Sequence, residues 1–210
     1  MAEQLISRVI TKATDSSLIT LDELKEVLGI PPANTTKDAA LQGTIDAVST
    51  GICNYCDRQF VVQVYRDRFR FPCVWTYGQP LRARQFPIET DGTGDALLTV
   101  TVDGNVLDPA EYDLDIDNGR IYPIGGWGAT AIVLDYTAGF DPIPADVKSA
   151  ASLWAVGDWM ARNRDPAIKS EAVFDVMTVV YNDLAAANTI AAAPPDAACN
   201  LLNPYRMLYA

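Results

Sequence analysis

Histidine is absent from the 210-residue chain. That removes the commonest general base, the usual proton shuttle and a leading metal ligand together. The Ser-His-Asp triad cannot form without it. Basic side chains are also sparse, 16 against 27 acidic ones, for a formal net charge of −11. Phosphate contacts need basic surface, so this balance argues against a nonspecific grip on nucleic acid or anionic membrane. Long apolar runs are missing too, and none approaches the roughly 20 residues that span a bilayer. The opening MAEQLISRVITKATDSS has no apolar stretch followed by a cleavage site, so a chain made and kept in a cytoplasm is expected.

Cysteine is limited to four positions. Cys53-Asn54-Tyr55-Cys56 has the spacing of a redox pair, but it closes a long helical pattern. At that end of a helix the dipole raises a thiol pKa instead of lowering it. A zinc site would have to recruit Cys73 and Cys199 as well, with no histidine to help. Reduced, packed thiols are the expectation, and no metal or cofactor is expected.

What remains is an ordinary globular balance, with 49% apolar and 20% charged residues, enough for one sizeable core. Thr20 and Glu23 have capping-box spacing and open a helix over 20–29, with Leu21, Leu24 and Leu28 at helical period. Leu41, Ile45, Val48, Ile52 and Tyr55 recur every three or four residues and predict a helix over 36–57. From Phe60 the period changes to two. Tyr65, Phe69 and Phe71 fall on one side of a strand, and Arg66, Arg68 and Arg70 on the other. Leu81 to Ile88 and Leu97 to Val102 read as further strands, the latter turning at Asp103-Gly104.

Tyr112, Leu114 and Ile116 then alternate with Asp113, Asp115 and Asp117, which predicts a strand with one acidic face. Asn118-Gly119 suits a type I′ turn, and Arg120 to Tyr122 would be the return strand. Thr130 to Thr137 is another β run, giving an antiparallel meander over 60–138. Pro144 with Asp146 marks the start of a helix over 144–162. Asp165-Pro166 and the stripe Val173, Val176, Met177, Val180 and Leu184 predict another over 166–186. The fold class is therefore α+β: two N-terminal helices, a central meander and two C-terminal helices in a bundle. An arm over 1–17 precedes it. An Ala/Pro spacer and an extended apolar tail over 188–210 follow it.

Several patterns have a functional and a plain reading. The aspartates at 113, 115 and 117 mimic the start of a calcium loop. Asn118 and Ile124 stand where that loop needs glycine and glutamate, so a solvated or subunit-facing strand fits better. Gly125-Gly126-Trp127-Gly128 lacks the lysine of a phosphate loop and reads as a turn around a buried tryptophan. Arg66, Arg68 and Arg70, with Arg82 and Arg84, have three readings: a solvated face, a partner for acidic surface on a neighbouring subunit, or a nucleic-acid contact. The tail residues Leu201, Leu202, Tyr205, Met207, Leu208 and Tyr209 are apolar beyond a spacer, a pattern that usually seeks a groove.

The order hairpin, strand, proline-marked turn and long helix resembles the head–tail connector (adaptor, or head-completion) proteins of tailed bacteriophages. The resemblance is carried by Tyr112, Gly119-Arg120-Ile121, Trp127 and Val133 to Phe140. Ile143-Pro144-Ala145-Asp146-Val147, leading into an Ala/Trp-rich helix, carries it further. It covers about Leu18 to Leu184, so a connector domain over 18–187 is expected. The resemblance implies a non-enzymatic virion protein at the head–tail junction, forming a ring, commonly of about twelve copies. Such a ring sits beneath the portal protein, extends the DNA channel and presents a platform to the next neck or tail protein.

On that view the tail from Leu201 docks into the portal. Arg66, Arg68, Arg70, Arg82 and Arg84, with Asp113, Asp115 and Asp117, are subunit-interface candidates, and DNA passes an acidic lumen without specific binding. The alternatives are another neck or tail ring, a stopper or tail terminator, and an accessory protein that binds nucleic acid through the arginines.

Overall fold

The computed structural model describes residues 4–75, 78–91, 93–163, 170–173, 177–180 and 194–207. The chain divides into two compact units, residues 1–15 with 59–142 and residues 16–58 with 143–210.

The first unit is built of antiparallel strands. β1 (Gln4–Thr11), β2 (Gln63–Trp75), β4 (Leu98–Val102), β5 (Asn105–Val106) and β8 (Ala129–Ala138) form a five-stranded sheet in the order β1-β2-β8-β4-β5. β3 (Leu81–Arg82), β6 (Tyr112–Asp115) and β7 (Arg120–Pro123) form a second sheet in the order β3-β7-β6. A single 3-10 turn, Pro109–Glu111, links β5 to β6. Side chains from both sheets share one core, with Tyr65 and Phe69 of β2, Val100 of β4 and Ile132, Leu134 and Tyr136 of β8 meeting Leu81 and Ile121.

The expected meander is corrected here. β2 pairs with β8, far along the chain, with Tyr65 opposite Tyr136 and Arg66 opposite Asp135, and β8 also pairs with β4. β8 takes the central place because its buried positions alternate without a break from Ile132 to Ala138, which lets it pair on both sides. The 112–117 strand ends at Asp115, and a loop of residues 116–119 replaces the expected two-residue turn, since only Gly119 takes a positive φ. The turn at Asp103-Gly104 does have positive φ at both centres, 46° and 92°, as a type I′ hairpin requires. At Gly139 (φ 152°) a Cβ would lie 2.5 Å from the Val62 backbone, so no larger residue fits.

The second unit carries the helices. α1 (Leu21–Val27) starts at the Thr20–Glu23 capping box, with both reciprocal bonds present. α2 (Asp38–Cys56) buries Leu41, Ile45, Val48 and Ile52, the stripe read from the sequence. α3 (Ala145–Asn163) buries Val147, Ala150, Ala151, Trp154 and Ala155. Small residues let it approach α2 closely, and a Cβ on Gly51 would fall 2.5 Å from the Trp154 ring. Lys25 of α1 is buried, with its ammonium 2.5 Å from Asp38.

The helix expected over 166–186 is also corrected. Residues 170–173 and 177–180 form β9 (Ser170–Val173) and β10 (Met177–Val180), an antiparallel pair in register from Met177–Val173 to Val180–Ser170. Valine and threonine crowd this stretch, and β-branched side chains lose rotamer freedom in a helix but suit a pleated strand. The rest of that predicted helix lies outside the described residues.

The tail differs from its expected extended form. α4 (Asp196–Leu202) and a 3-10 turn (Asn203–Tyr205) fold back, with α4 packed on α3.

Candidate interaction surfaces

The interface candidates do not form one surface. Arg66, Arg68 and Arg70 share the outer face of β2, because Tyr65, Asp67 and Phe69 point into the core. Arg66 is engaged within its own chain, its Nη2 donating to Asp135 Oδ2 at 2.9 Å. That carboxylate holds the guanidinium above its ordinary pKa. Arg68 and Arg70 stand exposed.

Arg82 lies on the other sheet, opposite Arg120, and Arg120 in turn faces Asp115. The three make a row of charge across β3, β7 and β6. Asp115 accepts from the Asn118 N–H at 3.2 Å and from Asn118 Nδ2 at 2.9 Å. Those bonds, with Arg120 as a smaller contributor, hold its carboxyl below the usual range. Arg82 also stacks over the Phe86 ring at 4.7 Å. Arg84 is turned to a structural task, its backbone N–H donating to buried Asp67 at 2.8 Å. Asp113 and Asp117 are exposed.

Among the tail residues Leu202 is fully buried, so it belongs to its own chain's core and is not free to dock elsewhere. Apolar burial of such a side chain is worth about 2 kcal/mol, more than an exposed position returns. The fold-back is fixed at the end of α2. The Tyr55 hydroxyl donates to Asn203 Oδ1 at 3.1 Å, and the Met207 N–H donates to the Cys56 carbonyl at 2.9 Å. The Arg206 guanidinium lies 4.8 Å over the Tyr55 ring. Leu201, Tyr205 and Met207 are half-buried, and Leu208 and Tyr209 lie outside the described residues. The cysteine pair at this place consists of free thiols, and burial pushes Cys56 up to about 12.

Two surfaces were not anticipated from the sequence. The first is β1, with Leu5, Ile6, Val9 and Ile10 exposed. Its β-branched run Ile6, Val9, Ile10 and Thr11 was a legible strand signal. The second is a groove of about 570 Å³ between α1 and α3, lined by Ile19, Val27, Leu153 and Val156 and flanked by the Glu23–Lys148 ion pair at 2.9 Å. It needs the helices side by side, which no local pattern shows.

Among the described residues no cluster of three or more acidic, cysteine or histidine ligands could hold a metal ion. No helix there is long and apolar enough to cross a membrane.

The fold is similar to that of chains in solved structures of gene transfer agent (GTA) particles. It matches a chain from the neck of an empty GTA particle, computed with C6 symmetry, over 98% of this chain and 97% of that one, with a TM-score of 0.59 and 17% identity. A chain from the neck of a native GTA particle, computed with C12 symmetry, gives a TM-score of 0.55 and 15% identity over the same shares. A chain from the virion of a native gene transfer agent gives 0.53 and 18% over the same shares. No protein-family model matches the chain, and no curated protein matches it in sequence.

Proposed function

We propose that this chain is a structural neck component of a phage-like particle, assembled as a ring between the portal and the tail. The observation that carries it is the end-to-end match to neck chains, whose particles were reconstructed with C6 and C12 symmetry. C6 is contained within C12, so both symmetries suit a ring of twelve copies. The charge of −11 supports a role as channel wall, because an acidic surface lets DNA slide past without adhering.

Docking to the portal falls to Leu201, Tyr205 and Met207 with Leu208 and Tyr209, since Leu202 is committed to its own core. The next neck or tail protein meets the opposite side of the ring. Co-purification with the portal protein of the same genome tests this reading. The full chain should bind as a multimer, and Leu208→Ser/Tyr209→Ser should bind less. Failure of the full chain to bind the portal would overturn the connector role. Salt-dependent binding of duplex DNA would point to the arginine-based alternative instead.

A further inference from the structure

β1 is the outer strand of its sheet, so one of its edges pairs with β2, and among the described residues no strand pairs with the other. Leu5, Ile6, Val9 and Ile10 are 41%, 46%, 39% and 53% exposed. Adjacent side chains on a strand point to opposite faces, so Leu5 and Val9 flank Ser7 on one face and Ile6 and Ile10 flank Arg8 on the other, with all four aliphatics partly exposed. An open edge of this kind invites another chain. Its charges have one sign. Residues 4–12 carry Arg8 and Lys12 and no acid, and Arg68 and Arg70 stand exposed on the neighbouring strand.

The segment that runs through β4 and β5, at the other end of that sheet, and on into β6 of the second sheet is the reverse in charge. Residues 85–119 carry nine carboxylates and no lysine or arginine. They include Asp103 at the β4–β5 turn, Asp108 and Glu111 of the 3-10 turn, and Asp113 of β6. Asp103 accepts from the Thr130 and Ala131 N–H groups at 3.2 and 2.8 Å, and Asp108 accepts from the Ala110 N–H at 2.9 Å. This negative charge is therefore fixed in place by local bonds. Apolar surface accompanies it, for Val106 of β5 is 72% and Ile124 62% exposed, and the Ile124 N–H donates to the Glu111 carbonyl at 2.9 Å.

We propose, resting on the ring reading above, that the basic β1 edge of each protomer packs against the acidic β5 edge of the next copy. The partner is a second copy because one unit carries both complementary surfaces, the basic one at the β1 end of the five-stranded sheet and the acidic one from its β5 end into β6. Two different patches meeting head to tail generate a ring when the rotation closes. The exposed aliphatics supply the apolar contact, and the charges set which edge meets which.

The test uses the full chain and mass photometry, with two charge reversals, Arg8→Glu/Lys12→Glu and Glu111→Lys/Asp113→Lys. Wild type should form a multimer that weakens as salt rises. Each variant alone should lose at least tenfold in apparent assembly affinity while keeping a wild-type circular dichroism spectrum. An equimolar mixture should recover the multimer, because each variant's reversed edge then meets an opposite charge. A variant that assembles like wild type, or a mixture that stays monomeric, overturns the edge pairing and leaves the ring standing. Should a variant misfold, the salt titration of wild type decides, and a multimer indifferent to salt overturns the proposal. Wild type that stays monomeric, alone and with the portal protein, overturns the ring itself.

Discussion

Tyr136 donates its phenolic hydrogen to Asp67 at 2.7 Å, deep in the strand unit, where the Asp67 side chain is fully buried. The same carboxyl group accepts from the Ser7 hydroxyl on β1 and from the Arg84 N–H at 2.8 Å. One aspartate thus ties β1, β8 and the segment after β3 to β2. Burial, with the carboxylate beside it, pushes the Tyr136 phenol far above its ordinary pKa. Tyr136→Phe leaves a buried acceptor short of a partner, at a cost of about 1–3 kcal/mol. Urea unfolding should show it as a lower midpoint with an unchanged slope.

Asp103 makes the strand unit sensitive to acid. The Ala131 N–H, then the Thr130 hydroxyl and N–H, hold its carboxyl below its ordinary value of 3.8. A depressed folded pKa gives stability that is present above the unfolded value and is lost as pH falls through the folded one. Wild type should therefore lose more melting temperature between pH 6 and pH 3 than Asp103→Asn does. Asparagine tolerates the positive φ of 46° there, so the comparison isolates the charge.

Two glycines of α2 should respond in opposite directions to the same substitution. A Cβ at Gly43 meets nothing within 4 Å, so Gly43→Ala should gain about 1 kcal/mol from helix propensity. At Gly51 the added carbon would lie 2.5 Å from the buried Trp154 ring. There the overpacking cost of about 1–3 kcal/mol outweighs the propensity gain. Thermal melts of the two variants should bracket wild type.

Cys56 should resist alkylation. Its thiol is fully buried and pushed up to about 12, so almost no thiolate exists at pH 8. Peptide mapping after iodoacetamide should find Cys56 unmodified in the folded chain and labelled in denaturant.

Local signals in the sequence carried the helices well. The Thr20–Glu23 box and the Leu41–Ile52 stripe are periodic patterns that need no tertiary partner to read, and α1 and α2 lie within two residues of their expected bounds. The β2 alternation was equally plain. Strand order was not, because nothing between residues 60 and 138 states that β8 sits between β2 and β4. That is a matter of long-range pairing. The 166–186 stripe misled because Val173, Met177 and Val180 satisfy a helical spacing while their neighbours Thr178 and Val179 favour a strand. The tail reads as a segment that docks on another protein because a short apolar stretch looks the same whether its groove is on a partner or beside its own Cys56. Arg66, Arg68 and Arg70 are legible as a face of β2, yet the ion pair of Arg66 to Asp135 depends on a residue 69 positions away.

The outer position of β1 also bears on the chain by itself. A strand with four exposed aliphatics is a template for runaway pairing, the route by which sheets grow into fibres. Two β1 edges brought together would set Arg8 and Lys12 of one copy against those of the other. Like-charge repulsion then opposes edge-to-edge pairing of two β1 strands, and does so most strongly at low salt.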